Sequence, residues 1–230
     1  ESLPSLVDLV EHLNQDNNCY SLVITGQGEK FFSAGADLNM FASGDKLVAR
    51  DLATKFSAAF ETLSQFRGVS IAAINGFAMG GGLECALACD IRIAESHAVM
   101  ALPEATVGLL PAGLGTQHLS WVVGEGWAKK MILCGERVDA TTAEKIGLVE
   151  EVVDKGLSVE RALALAANVE KQSPKSVAAS KRLIQAARHS SINAAYPVEA
   201  DEFVALFDTN DQTEGVNAFL EKRQPKWTNS

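Results

Sequence analysis

The chain has 230 residues, 47% of them hydrophobic and 21% charged, which is typical of a globular protein with one large or two small domains. Its net charge of −9 argues against electrostatic binding of nucleic acid, but leaves open an anionic ligand held by local amides or a few lysines. The apolar runs are too short to span a membrane, and residues 1–4 do not resemble a signal peptide, so we expect a cytoplasmic protein.

The first predicted elements alternate between helix and strand. Leu3, Leu6, Val7, Val10 and Leu13 recur at helical spacing, which predicts that the chain begins in a helix. "SLVITG" (21–26) predicts a buried strand, and "GEKFFSAGADL" has the composition of a loop. A helix is predicted over residues 45–66, followed by a strand, "VSIAAINGFA" (69–78), that a glycine cluster ends.

The middle of the chain mixes short helices and strands. A helix is predicted from about Gly81, and "DIRIAE" and "VMALP" predict two short strands. Thr141 and Glu144 have the spacing of a capping box, and Gly147 is predicted to end that helix. "GLVEEVVD" predicts one more strand.

Helices dominate the last part of the chain. Ser173 and Pro174 have the pattern of an N-cap followed by proline at the first helical position. Helices are predicted over residues 174–188, 192–207 and 213–223. Strands therefore concentrate in the first two thirds, which predicts an α/β core over residues 1–170 and a helical region over residues 171–230.

The stretch "AMGGGLECALACD" joins a predicted strand to a predicted helix through three glycines. Amides at the start of a helix lack intrahelical partners, and glycines let a ligand approach them closely. Amides near Gly81, together with the uncovered backbone of Ala34, Gly35 and Ala36, therefore predict an oxyanion hole built from two loops. Close packing of helix on strand is the structural alternative. A phosphate loop or a dinucleotide fingerprint fits the glycine spacing poorly.

Two glutamates accompany these glycines. Glu84 falls in the first turn of the predicted helix, where the helix dipole favours an ionised carboxylate, and Glu104 lies among apolar residues, which favour a protonated one. Such a pair suits general acid and general base catalysis. The alternative is that Glu84 merely favours the helix dipole and that Glu104 is a solvated loop residue.

Other candidate residues fit a structural role better. The histidines show no metal-binding spacing, no Gly-x-Ser-x-Gly elbow is present, and Asp37 fits a turn or cap. The cysteines form no Cys-x-x-Cys pair and are expected to be core residues rather than metal ligands or disulfides; they are Cys19, Cys85, Cys89 and Cys134. Met79, Leu109, Leu110 and Trp121 are candidates either for the wall of an apolar ligand pocket or for the core.

Taken together, "FFSAGADL", "INGFAMGGGLECALACDIRIA", "LPEATVGLLP", "GTQHL" and the C-terminal "EGVNAFLEKRQPKW" resemble the enoyl-CoA hydratase/isomerase (crotonase) family, in order and in spacing. The resemblance covers essentially the whole chain. It implies a spiral of ββα units with a helical C-terminal trimerisation region, assembled as a homotrimer or a dimer of trimers. It also implies an acyl-CoA thioester substrate, with no metal or other cofactor and no nucleic-acid or membrane partner.

The resemblance also assigns roles to residues. It implies that the amides of Ala36 and Gly81 bind the thioester oxygen and that Glu84 and Glu104, 20 positions apart, are the catalytic carboxylates. Having both favours hydration of a trans-2-enoyl-CoA; an isomerase, another crotonase-type reaction or a non-catalytic acyl-CoA-binding paralogue are the alternatives. The further substrate-binding residues that it implies are Ala34, Gly35, Asp37, Leu38, Gly80, Ala112 and Lys226.

The chain departs from the family pattern in two places. Where the family has Pro-Gly-x-Gly-Gly-Thr, this chain has Ala112 and Leu114 in place of two glycines, and we expect their side chains close to water and substrate. His118 stands where arginine is common. The sequence also starts after the family's usual N-terminal β-hairpin, on the order of 15–25 residues, so we expect that hairpin to be absent from this chain.

Overall fold

The structure is a computed structural model that describes residues 2–42 and 44–230. Its strands are β1 (Ser21–Thr25), β2 (Phe31–Ser33), β3 (Val69–Ile74), β4 (Phe77–Met79), β5 (Ile91–Glu95), β6 (Val99–Ala101), β7 (Val138–Asp139) and β8 (Glu151–Val153). Its α-helices are α1 (Ser2–Gln15), α2 (Lys46–Ser64), α3 (Gly81–Ala88), α4 (Gly115–Leu133), α5 (Ala140–Lys145), α6 (Ser158–Val169), α7 (Pro174–Ala186), α8 (Ile192–Ala205) and α9 (Asn210–Leu220). Short 3₁₀ helices cover Leu38–Phe41, Glu104–Val107 and Leu206–Asp208.

The strands form two four-stranded sheets, and the chain passes repeatedly from the first to the second. The first sheet has the order β1-β3-β5-β8 with every pair parallel. The second has the order β2-β4-β6-β7, in which only the β6–β7 pair is antiparallel. In each of the first three turns the chain adds one strand to each sheet before a helix follows, and in the last turn α5 separates β7 from β8. The fold is the predicted α/β spiral of ββα units.

Two apolar layers hold the spiral together. The larger core lies between the sheets and helices α1 to α5, and it contains fully buried Phe66, Leu83 and Leu119. A smaller cluster on the other side of the first sheet packs Ala162 and Ala166 of α6 against strand residues such as Ile71. Alanine lets α6 approach the sheet closely, because it adds apolar surface without a long side chain.

The predicted strand over residues 69–78 is in fact two strands that belong to different sheets. The break falls at Asn75 and Gly76, where the Asn75 side chain accepts from the Gly26 amide at 3.0 Å and donates to the Gly28 carbonyl oxygen at 2.7 Å. A Cβ on Gly76 would lie 2.3 Å from the carbonyl oxygen of Lys30, so two successive corners of the spiral pack directly on each other. Side-chain bonding over long range, not local propensity, sets this corner.

The structure changes several predicted boundaries of strands and helices. The predicted loop at "FFS" contains β2, and the predicted strand "GLVEEVVD" is a strand only in β8. The capping box at Thr141 is wrong, because Asp139 caps α5 by accepting from the Thr142 amide at 2.8 Å. Gly147 follows the end of α5 with a φ of 76°, as predicted.

In the C-terminal part, Ser173 caps α7 and Pro174 opens it, as predicted. Thr209 caps α9, which therefore begins three residues before the predicted start at Thr213. The Nζ of Lys181 on α7 donates to the Phe66 carbonyl oxygen and to Asp90 Oδ2 at 2.7 Å, which ties this helix to the sheet. A domain boundary between residues 170 and 171 stays a prediction. No helix in the described chain is long and apolar enough to cross a membrane.

Candidate active site

The site lies beyond the ends of β2, β4 and β6 in the second sheet. There the loop at 34–36, the start of α3 and the 3₁₀ helix Glu104–Val107 surround a cavity of about 570 Å³. The cavity is lined by Ala34, Gly35, Ala36, Leu38, Phe41, Ala49, Ala53, Phe56, Met79, Gly80, Gly81, Glu84, Pro103, Glu104, Thr106, Val107, Gly108, Leu109, Leu110 and Ala112. Parallel strands direct their carboxyl ends to one edge of the sheet, where ligand sites commonly form.

Two glycine-containing loops meet at this edge. Gly35 has a φ of 87°, and a Cβ there would lie 2.6 Å from the Met79 carbonyl oxygen and 3.2 Å from the Gly81 nitrogen. Only glycine fits this contact without strain, because it accepts a positive φ and has no Cβ. The loop at 34–36 is therefore packed against the start of α3, as the oxyanion-hole hypothesis requires.

The backbone amides of these loops divide into bonded and free ones. The Gly35 amide donates to Ser33 Oγ at 3.3 Å, and the Gly80 amide donates to the Ala101 carbonyl oxygen at 2.9 Å. The amides of Ala36 and Gly81 have no hydrogen-bond acceptor in the part of the chain that the structure describes. The next amide along each loop is thus available to a ligand, and Gly81 also begins α3, where the helix dipole favours a negative oxygen.

Glu84 is held from one side by backbone amides. Its carboxylate is 3% exposed, and Oε1 accepts from both the Gly113 and the Gly115 amides at 2.8 Å. Leu114 between these donors has a φ of 72°, which is unusual for a residue with a Cβ, and this turn directs both amides to one oxygen atom. We call residues 113–115 with Glu84 the amide clamp.

The helix dipole does not alone determine the ionisation of Glu84, because burial opposes the charged form. Burial raises the pKa of Glu84 to about 7, although the hydrogen bonds from Gly115 and Gly113 lower it and the charge of Glu104 raises it further. Loss of solvation thus outweighs the favourable amides at this position.

Glu104 opens its 3₁₀ helix and faces the same cavity. Burial raises its pKa, as predicted from its apolar surroundings, and Oε2 is buried with no hydrogen-bond partner among the described residues. A Cβ on Gly80 would lie 2.9 Å from Glu104 Oε1, so the start of α3 contacts this carboxylate. Glu104 is therefore a half-buried group directed at the site, not a solvated loop residue.

The remaining predicted residues divide between the cavity and other places. Ala34, Gly35, Leu38, Gly80 and Ala112 line the cavity. Asp37 does not; it caps the 3₁₀ helix Leu38–Phe41 by accepting from the Asn39 amide at 2.9 Å, in agreement with its predicted turn role. Lys226 lies elsewhere in this chain, near α9, where its amide donates to Glu214 at 2.7 Å.

Two expectations about the pocket wall are wrong. Met79, Leu109 and Leu110 line the cavity, but Trp121 does not; it packs between the rings of His118 and His189 in a separate cavity. Leu114 also lines that second cavity and not the candidate active site. Of the two substituted glycine positions, only Ala112 adds a side chain to the candidate active site.

Sequence reasoning missed the helical wall of the cavity. Ala49, Ala53 and Phe56 line it from one face of α2, at the i, i+4 and i+7 spacing that could have identified them as a set. A Cβ on Gly81 would lie 3.0 Å from Phe56 Cε1, so this ring is in contact with the start of α3.

Comparison with known proteins agrees with this architecture. The family model for enoyl-CoA hydratase/isomerase matches residues 1–230. The 2,3-dehydroadipyl-CoA hydratase of Escherichia coli (strain K12) is 39% identical over 223 residues, which are 97% of this chain and 86% of that protein. The crotonyl-CoA hydratase of Syntrophomonas wolfei is 36% identical over 224 residues, again 97% of this chain and 86% of that protein.

Solved structures show the same similarity. A structure of Pseudomonas aeruginosa DspI has a TM-score of 0.96 and 66% sequence identity, over 98% of this chain and 86% of that one. The enoyl-CoA hydratase of Bacillus anthracis has a TM-score of 0.95 and 35% identity, over 99% of this chain and 88% of that one.

Proposed function

Because the chain belongs to the enoyl-CoA hydratase/isomerase family, we propose that it adds water across the 2,3 double bond of a trans-2-enoyl-CoA to give a 3-hydroxyacyl-CoA. The observation that carries this proposal is the convergence of two free amides and two carboxylates on one cavity. The relatives named above as hydratases support it. The chemistry needs water and the two carboxylates, so we propose no cofactor.

In this mechanism the amides of Ala36 and Gly81 donate to the thioester oxygen. Negative charge develops there when water adds to C3, and fixed donors lower the energy of that state more than the energy of the bound substrate. The free state of these two amides supports the assignment, since a donor already bonded to protein would have to give up its partner first.

The two glutamates would divide the proton transfers. Ionised Glu84 orients the water and accepts its proton as the C3–O bond forms, and protonated Glu104 donates a proton to C2. The clamp on Oε1 of Glu84 leaves Oε2 to face the water, and the unpartnered oxygen of Glu104 leaves that group free to donate. Burial raises the pKa of both carboxyl groups, that of Glu84 to about 7, which suits groups that exchange protons during a reaction.

The test is the loss of enoyl-thioester absorbance when the purified chain meets crotonyl-CoA and longer 2-enoyl-CoAs. Glu84→Gln and Glu104→Gln keep the shape of each side chain but remove the titratable group, and each should lower kcat by about 10²- to 10⁴-fold. Activity on 3-enoyl-CoA alone would indicate an isomerase, and CoA binding without turnover would indicate a binding paralogue; either result would contradict the proposal.

We also propose that the chain assembles as a homotrimer or a dimer of trimers in the cytoplasm. Helices α8 and α9 expose large apolar side chains over most of their length, and these are Ile192, Tyr196, Val198, Phe203, Val204, Val216, Phe219 and Leu220. Apolar patches of this extent commonly mark protein interfaces. Light scattering of the purified chain tests the assembly, and a monomer at micromolar concentration would contradict it.

A further inference from the structure

The described lining of the active-site cavity contains acidic side chains but no basic ones. It contains the carboxyl groups of Glu84 and Glu104, and no lysine, arginine or histidine of the described chain is part of it. Among the described residues, the one other polar side chain in the lining is Thr106, whose hydroxyl already donates to the Pro103 carbonyl oxygen at 2.7 Å. A ligand group in this cavity therefore meets two acidic groups and an otherwise apolar wall.

The apolar wall extends from the carboxylates to the rim. On one side α2 presents Ala49, Ala53 and Phe56, and on the other the segment after Glu104 presents Val107, Leu109 and Leu110. These last three side chains are 51%, 40% and 66% exposed, although they are large and apolar. Contiguous exposed apolar residues at a cavity mouth fit a ligand that covers them with its own apolar surface.

We propose that the acyl chain accepted here is neutral and apolar beyond C3, that a chain ending in a carboxylate is rejected, and that the absence of a cation at Ala53 is one cause of this selectivity. The inference rests on the proposed function, because it takes this cavity to hold the enoyl chain. Family membership alone does not predict this selectivity, since the E. coli relative described above is named as a hydratase for 2,3-dehydroadipyl-CoA, whose acyl chain ends in a carboxylate.

The physical reason is that a terminal carboxylate would lose its hydrating water in this cavity without gaining an equivalent partner from the protein. A carboxylate that leaves water needs a cation or several hydrogen-bond donors. The described lining contains no cation, and its two free amides, those of Ala36 and Gly81, are assigned to the thioester oxygen. Glu84 and Glu104 add repulsion whenever they are ionised. The cations of α2 are Lys46, Arg50 and Lys55; none of them is part of the cavity lining, and Lys55 Nζ pairs with Asp51 Oδ2 at 2.6 Å. A substrate with the same carbon count but an uncharged end meets none of these obstacles.

The first experiment compares ligands that differ only in the end group. Binding of hexanoyl-CoA, adipyl-CoA and the adipyl-CoA monomethyl ester is measured by calorimetry, so the result does not depend on turnover. We expect adipyl-CoA to bind at least about tenfold more weakly than hexanoyl-CoA, with the ester restoring most of the difference. Adipyl-CoA binding within about twofold of hexanoyl-CoA would overturn the inference.

The second experiment places a cation on the wall. Ala53 is half-buried on the cavity face of α2, so Ala53→Arg adds a guanidinium to the wall, and Ala53→Gln adds a polar, uncharged side chain. Ala53→Arg should raise the ratio of kcat/KM for 2,3-dehydroadipyl-CoA over trans-2-hexenoyl-CoA by about fivefold to tenfold, with no such change for Ala53→Gln. Equal ratios in the two variants would contradict the role of position 53.

The two proposals fail separately. If neither enoyl-CoA is hydrated but hexanoyl-CoA still binds more tightly than adipyl-CoA, the proposed hydration is wrong and the charge selectivity of the cavity stands. If both enoyl-CoAs are hydrated at similar rates and bind with similar affinity, the hydration stands and the selectivity is wrong.

Discussion

The two glutamates of the site are held in opposite ways. Glu84 is on a regular helix, almost fully buried, with one oxygen fixed by two amides from a turn 29 and 31 residues further along the chain. Glu104 is on a short 3₁₀ helix, half-buried, and one of its oxygens has no partner among the described residues. Burial raises the pKa of both, but only Glu84 is held by amides from a distant segment, whereas the one backbone amide that affects Glu104 is its own.

This difference shows how one fold can prepare two identical side chains for different tasks. A carboxylate fixed through one oxygen presents the other in a constant direction, which suits the positioning of a water molecule. A carboxyl oxygen without a protein partner, such as Oε2 of Glu104, is free to form a hydrogen bond with the substrate. The contrast lies in the neighbours of each glutamate, so it can be tested by changing the neighbours alone.

The largest effect should come from Gly80→Ala. Gly80 has a φ of 52° and a ψ of −125°, and a Cβ there would lie 2.9 Å from Glu104 Oε1, so the substitution strains the backbone and displaces the unclamped glutamate. We expect kcat to fall on the order of 100-fold, because small displacements of catalytic groups cost that much.

The matched control for Gly80→Ala is Gly126→Ala in α4. A Cβ there meets no atom within 4 Å, so this variant should keep its activity and gain slightly in stability. Full activity in Gly80→Ala would mean that the position of Glu104 does not depend on the start of α3.

A smaller effect concerns the pH dependence of stability at the clamp. The folded-state pKa of Glu84 is raised to about 7 from 4.5, so folding favours the protonated form, and the stability that this gives is lost as pH rises from about 4.5 through 7. Between pH 5 and pH 8 the wild type should lose about 2 to 3 kcal/mol relative to Glu84→Gln. Urea unfolding of both proteins at the two pH values measures the difference. Parallel pH profiles would show that burial does not shift this group.

The smallest effect should come from the turn inside the clamp. Leu114 has a φ of 72°, which costs a residue with a Cβ about 1 kcal/mol relative to glycine. Leu114→Gly should therefore be about 1 kcal/mol more stable than Leu114→Ala, since both lose the side chain but only glycine relieves the backbone. Thermal unfolding of the two variants makes the comparison, and equal stability would show that the turn is not strained.

The parts of the molecule that depend on local pattern could be predicted from the sequence. The helix that starts at Gly81, the uncovered loop at 34–36 and the placement of Glu84 in a first helical turn all follow from glycine chemistry and helical spacing. The family resemblance ordered these pieces into one site, and the membership that it implied is confirmed across residues 1–230. The catalytic and binding roles of individual residues stay predictions.

What could not be predicted depends on contacts between distant segments. Nothing near Glu84 in the sequence indicates that Gly113 and Gly115 bind its carboxylate, or that burial outweighs the helix dipole at this residue. The corner at Asn75 is set by bonds to residues 47 and 49 positions earlier, so a continuous apolar run concealed a change of sheet. Trp121 likewise packs against a residue that is distant in sequence, His189, which lies three residues after the end of α7.

The parallel pairing of β4 with β6 has a consequence for how this site can evolve. Glu84 follows β4 and Glu104 follows β6, and Ala78 and Met79 are in register with Met100 and Ala101. The spacing of about 4.8 Å between neighbouring strands thus sets the distance between the two segments that carry the acids. Moving Glu104 relative to Glu84 along the sheet edge would require a change in the register of β6 on β4. Replacing either acid leaves this strand pairing unchanged, so a single substitution can change the chemistry of the site without changing the fold.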